Sequence, residues 1–346
     1  MAAPLPSPVH TALISAVLDL SGVFLITFVT AHFVLPVSST KHLFTGLCSV
    51  VLVFAVIHGF RIPPVDRSAS DKVLEPNRML VIGHRGGAYD APENTIEAIR
   101  EAKKNGADGV ELDLEFTKDG VPVLLHDSSV DRTTDGQGEI KSYTFEEIRK
   151  LNASHGHRLS AQFSKTRIPT LQEATEECLR LGLKIFYDVK GNAQQAAEAL
   201  VKLFHEHPKL YESAAVCSFY PEVIYKVRLN DQKIVTALTH RSGDLAYSIT
   251  GEPRDMPAWK VPLAHMADLL THWAHHSFLW YFCGNSAFLL WKNEMSQQVK
   301  VYWEHRGIQV ITWTVNSAHE KMYNEKYLKT SYITDSLIGD CEQSKS

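Results

Sequence analysis

Residues 79 to 127 concentrate the side chains able to do chemistry. An apolar run, 79–83, delivers His84 and Arg85 into a Gly86-Gly87 turn. A second run, 110–115, reads Val-Glu-Leu-Asp-Leu-Glu. On a strand, side chains alternate faces with period two, so Glu111, Asp113 and Glu115 share one face, and Val110, Leu112 and Leu114 share the other. Carboxylates on the face of an otherwise apolar strand are costly to bury unless positive charge neutralises them. The simplest neutraliser is a hard divalent cation with oxygen ligands. His126 and Asp127 follow a third short apolar run, 121–125. Two histidines, an arginine and two or three acids thus converge from consecutive strand ends, a set suited to phosphate chemistry. Either feature alone is as often a salt-bridged surface pair; it is their combination that points to a site.

The elements that must position these residues alternate along the chain. Pro92-Glu93-Asn94-Thr95 leads into a helix expected over 96–105, with Asn94 or Thr95 as its cap. Further strands are expected at 184–189, 214–218, 234–238, 287–290, 308–315 and 332–333. Helices are expected at 145–151, 171–181, 192–205, 221–228 and 296–305. Alternating β and α units imply a parallel sheet, and eight of them imply a closed α/β barrel, the (β/α)8 TIM barrel. The stretch 127–166, polar with one short helix, is an insertion after the second strand.

These residues resemble the glycerophosphodiester phosphodiesterase family. The resemblance rests on His84-Arg85-Gly86-Gly87, Pro92-Glu93-Asn94-Thr95, Glu111-Leu112-Asp113, Asp119 through Val123, and His126-Asp127. It continues through Arg132-Thr133-Thr134, Ile168 through Leu171, Asp188-Val189-Lys190, Thr312 through Asn316, and Ile333-Thr334-Asp335. The order is kept from about residue 79 to residue 340. The chain looks most like the membrane-anchored animal branch, described as glycerophosphoinositol phosphodiesterases and as membrane partners of an RGS protein. The fold implied is the same barrel, with its small insertion after the second strand.

The resemblance implies the roles. His84 and His126 form a general acid–base pair, as suits groups titrating near neutrality. Glu111, Asp113 and Asp188 hold a divalent metal, magnesium first and calcium second, acting as Lewis acid and template. Arg85 holds phosphate as a fork and Lys190 as a point charge. Trp313 matches an aromatic residue beside the substrate glycerol, although a tryptophan in a barrel core would read the same way. The family more often has Glu at position 188. Asp188 is one methylene shorter, so a water could intervene, and Glu115 is a substitute ligand.

Composition frames the rest. The 346 residues carry 35 Lys and Arg against 39 Asp and Glu, a net charge of −4, with 45% apolar residues. That excludes a disordered chain and shows no basic excess for nucleic acid. The 5 cysteines are scattered and define no disulfide or zinc spacing. Residues 1–61 read as a membrane anchor with two candidate crossing helices, about 12–37 and 43–60, whose uncharged runs are near the minimum for a bilayer. A cleaved signal peptide would lack its basic start. Residues 62–78 read as a linker, 79–340 as the catalytic domain and 341–346 as a tail. The aromatic stretch 261–290 reads as a barrel helix with a lipid-facing or substrate-facing surface. Its embedded His265, Asp268, His272, His275 and His276 argue against a third crossing, and those histidines read as structural or solvated.

Arg61, Arg67, Lys72 and Arg78 after the second run favour a cytoplasmic barrel. The resembled branch and the sequon Asn152-Ala153-Ser154 favour a lumenal or extracellular one, which is the expectation adopted. Three functions compete. The first is glycerophosphodiester hydrolysis to glycerol 3-phosphate and an alcohol. The second is a lysophospholipase D acting on lysophospholipids or N-acylated ethanolamine phosphodiesters. The third is a membrane scaffold for signalling proteins.

Overall fold

Eight parallel strands close on themselves in the computed structural model, which describes residues 39–341, with side chains from residue 46 onward. They are β1 (Val81–Gly83), β2 (Gly109–Phe116), β4 (Lys184–Val189), β5 (Ala214–Ser218), β6 (Val235–His240), β7 (Ala287–Trp291), β8 (Gln309–Trp313) and β9 (Ser331–Thr334). The pairing of β1 with both β2 and β9 completes the ring. A short antiparallel strand, β3 (Pro122–Leu124), hairpins onto β2. The expected barrel is therefore present, and most expected strands shift by only one or two residues.

Alternation sorts the strand residues into two cores. Ile82, Phe186, Ala215, Cys217, Ala237, Leu289, Ile311 and Ile333 fill the barrel interior. Val110, Leu112 and Leu114 of β2 point outward against the helix layer. That layer includes α3 (Ile96–Lys104) and α5 (Leu171–Leu181). The expected cap at residues 94–95 resolves to Thr95, whose hydroxyl accepts from the Ala98 N–H at 3.1 Å. A Thr170–Glu173 capping box starts α5, and Gly182 ends it in the left-handed conformation.

The N-terminal segment is described only in part. The first candidate crossing, 12–37, lies outside the described residues. The second coincides with α1 (Ser39–Phe60). Residues 46–60, whose side chains are described, cover about 22 Å at 1.5 Å per residue; no helix within the described residues is long and apolar enough to cross a membrane. Residues 62–78 are not a free linker. They contain α2 (Arg67–Leu74), capped by Asp66, whose Val73 and Leu74 are buried in the barrel interior with Leu80. These two consecutive apolar side chains plug the end of the barrel where the strands begin. The Ile62 N–H donates to the Phe282 carbonyl at 2.9 Å, and Arg228 donates to the Pro63 carbonyl, so the chain is clamped before α2 begins.

The insertion after β3 has a core of its own, in which Val123, Val130, Ile140, Ile148 and Ile168 pack around α4 (Phe145–Ile148). Beyond α6 (Ala193–Glu206) and α7 (Pro221–Asn230), the stretch 261–290 is helical as expected over residues 261–283 and ends in β7. This α8 (Val261–Ala274) runs through a π-helical turn, His275–Leu279, into Trp280–Cys283 before β7. Its outer face leaves Leu263, Met266, Leu269 and Leu270 exposed. Two more helices, α9 (Gln297–Glu304) and α10 (Ala318–Met322), complete the layer.

Candidate active site

The parallel register sets Asp113 of β2 beside Asp188 of β4. Period two puts Glu111 on the same inward face, two residues earlier. All three carboxylates are buried, and each offers an oxygen within 4.8 Å of the others. Glu115 lies outside this group: it is partly exposed, and its carboxylate accepts only from the Phe116 N–H at 3.3 Å. It is therefore not a substitute ligand in this arrangement.

Three buried acids at this spacing cannot all ionise without compensation. Burial first, then the neighbouring Asp113 charge, push Glu111 up to about 8. Burial likewise raises Asp188 to about 6, against the pull of Lys190. Asp113 is held low despite its burial, because Lys190, His126, Arg85 and an Asn94 hydrogen bond favour its charge. Lys190 Nζ stands 2.9 Å from Asp113 and 3.8 Å from Asp188. Asp188 Oδ1 is buried with no hydrogen-bond partner. An orphaned carboxylate oxygen inside an all-oxygen acidic cluster fits a hard divalent cation.

The turn after β1 brings His84 and Arg85 over this cluster. Arg85 is left-handed at φ 53° and Gly86 at φ 83°. A Cβ on Gly86 would meet Ala98 of α3 at 2.8 Å, so the tight approach of turn to helix requires glycine there. The turn aims the Arg85 N–H at Glu111, 2.8 Å away. Arg85 Nη1 donates to Glu93 at 3.0 Å, while its buried Nε makes no hydrogen bond and stands 3.7 Å from Asp113. Arg132, reaching back from the insertion, grips Glu93 with both terminal nitrogens at 2.8 and 2.7 Å. Despite burial, Arg85 and Arg132 hold Glu93 down to about 2.

Each histidine commits one ring nitrogen to a carboxylate. His84 Nδ1 donates to Asp335 at 2.5 Å, with Nε2 left 3.9 Å from Glu111. Asp335 is fixed by the Asn316 side-chain amide at 2.6 Å. His126 Nδ1 donates to Asp127 at 2.6 Å, and Asp127 is fixed by Arg132. The two imidazoles are tuned apart. For His84, burial opposes the charged form, but Asp335 and Glu111 outweigh it and the pKa rises. For His126, burial prevails over Asp113 and Asp127, and the pKa falls.

All of the residues expected to form the site except Glu115 line one cavity of about 730 Å³ at the ends of the strands. Trp313 is on its wall, edge-on to Phe219 at 5.5 Å between ring centres. Beyond the charged floor the wall turns apolar, with Leu245, Ile249, Leu270, Ala274 and Leu279. Sequence reading gave Asn94 only a candidate helix-capping role and gave Asp335, Asn316 and Arg132 no role in the site. Asp335 bonds a residue 251 positions away, a distance no local pattern reveals.

Residues 84–340 match the family model described as the glycerophosphoryl diester phosphodiesterase family. The chain is 52% identical over 291 residues to human glycerophosphodiester phosphodiesterase 1, covering 84% of this chain and 88% of the human protein. The mouse protein of the same name is 52% identical, with the same coverage. Among solved structures, the barrel resembles a phosphodiesterase from Oleispira antarctica in complex with the product sn-glycerol-3-phosphate, at TM-score 0.58 and 23% identity, over 75% of this chain and 94% of that one. It also resembles a glycerophosphodiester phosphodiesterase from Agrobacterium tumefaciens at TM-score 0.57 and 20% identity, over 75% and 97% of the two chains. At these identities the structural likeness bears on the fold.

Proposed function

Because this chain belongs to the glycerophosphoryl diester phosphodiesterase family, we propose that it hydrolyses glycerophosphodiesters such as glycerophosphoinositol to glycerol 3-phosphate and the free alcohol. The observation that carries this reading is the buried Glu111, Asp113 and Asp188 cluster flanked by two carboxylate-held histidines. The three acids would hold a divalent cation, magnesium in our reading. When bound, it supplies Lewis-acid polarisation of the phosphoryl oxygens.

The chain's own residues do the rest. Arg85 Nε and Lys190 Nζ meet the phosphate charge from the barrel side. His126, kept neutral by burial, takes a proton from the attacking water. Its Nδ1 bond to Asp127 fixes the tautomer that leaves Nε2 unprotonated. The water oxygen bonds to phosphorus as the bond to the leaving oxygen breaks. His84, kept protonated by Asp335, gives its proton to that leaving alkoxide. Histidines tuned in opposite directions suit opposite roles.

The apolar outer wall favours a second substrate class, in which the diester carries an acyl chain, as in lysophospholipids or N-acylated ethanolamine phosphodiesters. The exposed apolar side chains of α1 and α8 support membrane association through the N-terminal segment. We propose an integral membrane protein with a lumenal or extracellular barrel. Asn152 of the sequon is half-buried, and its side-chain oxygen accepts from Ser154 Oγ at 2.8 Å. A signalling partner of the RGS kind belongs to the same proposal. Rates on glycerophosphoinositol and on an acylated diester of matched headgroup test the substrate. Release of glycerol 3-phosphate from the first supports the reading; turnover of acylated substrate alone replaces it with the second, and turnover of neither leaves the scaffold.

A further inference from the structure

We propose that the chain carries a second metal site, for a transition-metal cation of the zinc class, built from His240, His272 and His276 in the seam between β6 and α8. His240 ends β6. His240, its neighbour Thr239 and His275 all reach the rim of the active-site cavity, while Leu238, on the same strand face as His240, packs in the outer core with Phe288. The His240 ring packs against the rings of His272, His275 and His276. His272 and His276 stand one turn apart on that helix, just before and within the π-helical turn. Such turns recur where a helix is adapted to bind.

The three histidines offer ring nitrogens that all lie within 4.8 Å of one another. His240 Nε2 faces His272 Nδ1 at 3.1 Å. Ligand atoms around a tetrahedral zinc with bonds of about 2.0–2.1 Å stand about 3.4 Å apart, so an ion needs only small ring movements to seat. His276 Nδ1 donates to the His272 carbonyl at 2.8 Å, which fixes the tautomer and leaves Nε2 as a lone pair. His275 packs on His240 at 4.8 Å between ring centres, donates from Nδ1 to the Thr271 carbonyl, and keeps a buried Nε2 without a partner. A polar nitrogen left orphaned beside three gathered imidazoles marks an unmet demand for a ligand.

An all-imidazole set suits zinc, copper or nickel and disfavours magnesium and calcium. The chemistry thus separates this site from the carboxylate cluster, and three ligands leave one coordination position open.

The test uses the full-length protein in detergent, saturated with Mg2+, with Zn2+ alone as probe. After gel filtration, elemental analysis should find one equivalent of zinc in the wild type and in Glu111→Gln. His272→Gln and His276→Gln should lose it, with affinity reduced by more than the roughly 10- to 100-fold typical of losing an outer-shell partner. No retained zinc in the wild type, or retention in both histidine variants, overturns the proposal; so does zinc lost only with Glu111→Gln. Should either variant misfold, Co2+ in the wild type decides: intense four-coordinate visible bands support the site, and only weak octahedral bands overturn it.

Discussion

Asn94 holds Asp113 from two directions. Its side-chain amide donates to Asp113 Oδ2 at 2.8 Å, and its carbonyl oxygen accepts from the Asp113 backbone N–H at 3.0 Å. Asn94 sits at φ 57°, a left-handed conformation that asparagine tolerates better than most residues. It is neither a ligand nor an acid–base group. It fixes the carboxylate that pairs with Lys190 and that would help hold the proposed cation. Asn94→Ala should weaken magnesium affinity about 10- to 100-fold, the usual cost of losing an outer-shell partner, with activity partly restored at high magnesium. Unchanged magnesium dependence in that variant would remove Asn94 from the site.

The opposed tuning of the histidines sets the pH profile. In the proposed mechanism His126 acts when neutral, and its pKa lies below the usual value of about 6.5. Activity is therefore lost as pH falls through that lowered value. His84 acts when protonated, and its pKa lies above the usual value, so activity is lost as pH rises through it. A bell-shaped profile straddling about 6.5 is expected. A rate that climbs monotonically with pH contradicts the assignment of His84.

Leaving-group chemistry separates the two roles. His84→Ala and His126→Ala should each lose at least about a hundredfold in turnover on a glycerol diester with an alkyl leaving group. On a p-nitrophenyl diester, whose leaving group departs without protonation, His84→Ala should recover most of its loss and His126→Ala none. The reverse pattern would exchange their roles.

The floor plug makes a prediction about stability. Leu74 is nearly fully buried among the inner barrel residues. Leu74→Ala should destabilise the barrel by about 2–4 kcal/mol, from lost transfer energy and the cavity left behind. A chain beginning at residue 79 should unfold at lower temperature than one beginning at residue 62. Equal melting temperatures would mean that residues 62–78 are, after all, a linker.

How much of this was legible in the sequence depends on the range of the interaction. The period-two alternation of residues 110–115 put Glu111 and Asp113 on one face, and the barrel turns that face inward. Strand and helix alternation gave the barrel because each unit is local. The α2 plug was misread because Pro63-Pro64 and the serines around Val73-Leu74 mask two apolar residues whose partners come from strands far along the chain. Asp335 and Arg132 escaped for the same reason: their partners His84 and Glu93 are fixed only by closure of the ring and folding of the insertion. The Ser317–Glu320 capping box of α10 was a readable signal that went unused. Nothing local ties His240, one histidine at the end of an apolar strand, to His272 and His276 on a helix beyond the next loop.

The position-188 departure is also testable. Asp188 already offers an oxygen within 4.8 Å of oxygens of the other two acids. Asp188→Glu, restoring the family's commoner residue, should keep activity within about tenfold, while Asp188→Asn, which removes the charge, should lose at least about a hundredfold. Equal losses would place the shorter arm itself under requirement.

Metal dependence of diester hydrolysis tests the central claim most directly. Wild-type protein stripped with EDTA and assayed on glycerophosphoinositol should release no glycerol 3-phosphate, and added magnesium should restore release; Glu111→Gln should remain inactive under both conditions. Full activity after chelation, or a Glu111→Gln variant as active as the wild type, would contradict a reaction organised around the Glu111, Asp113 and Asp188 cluster.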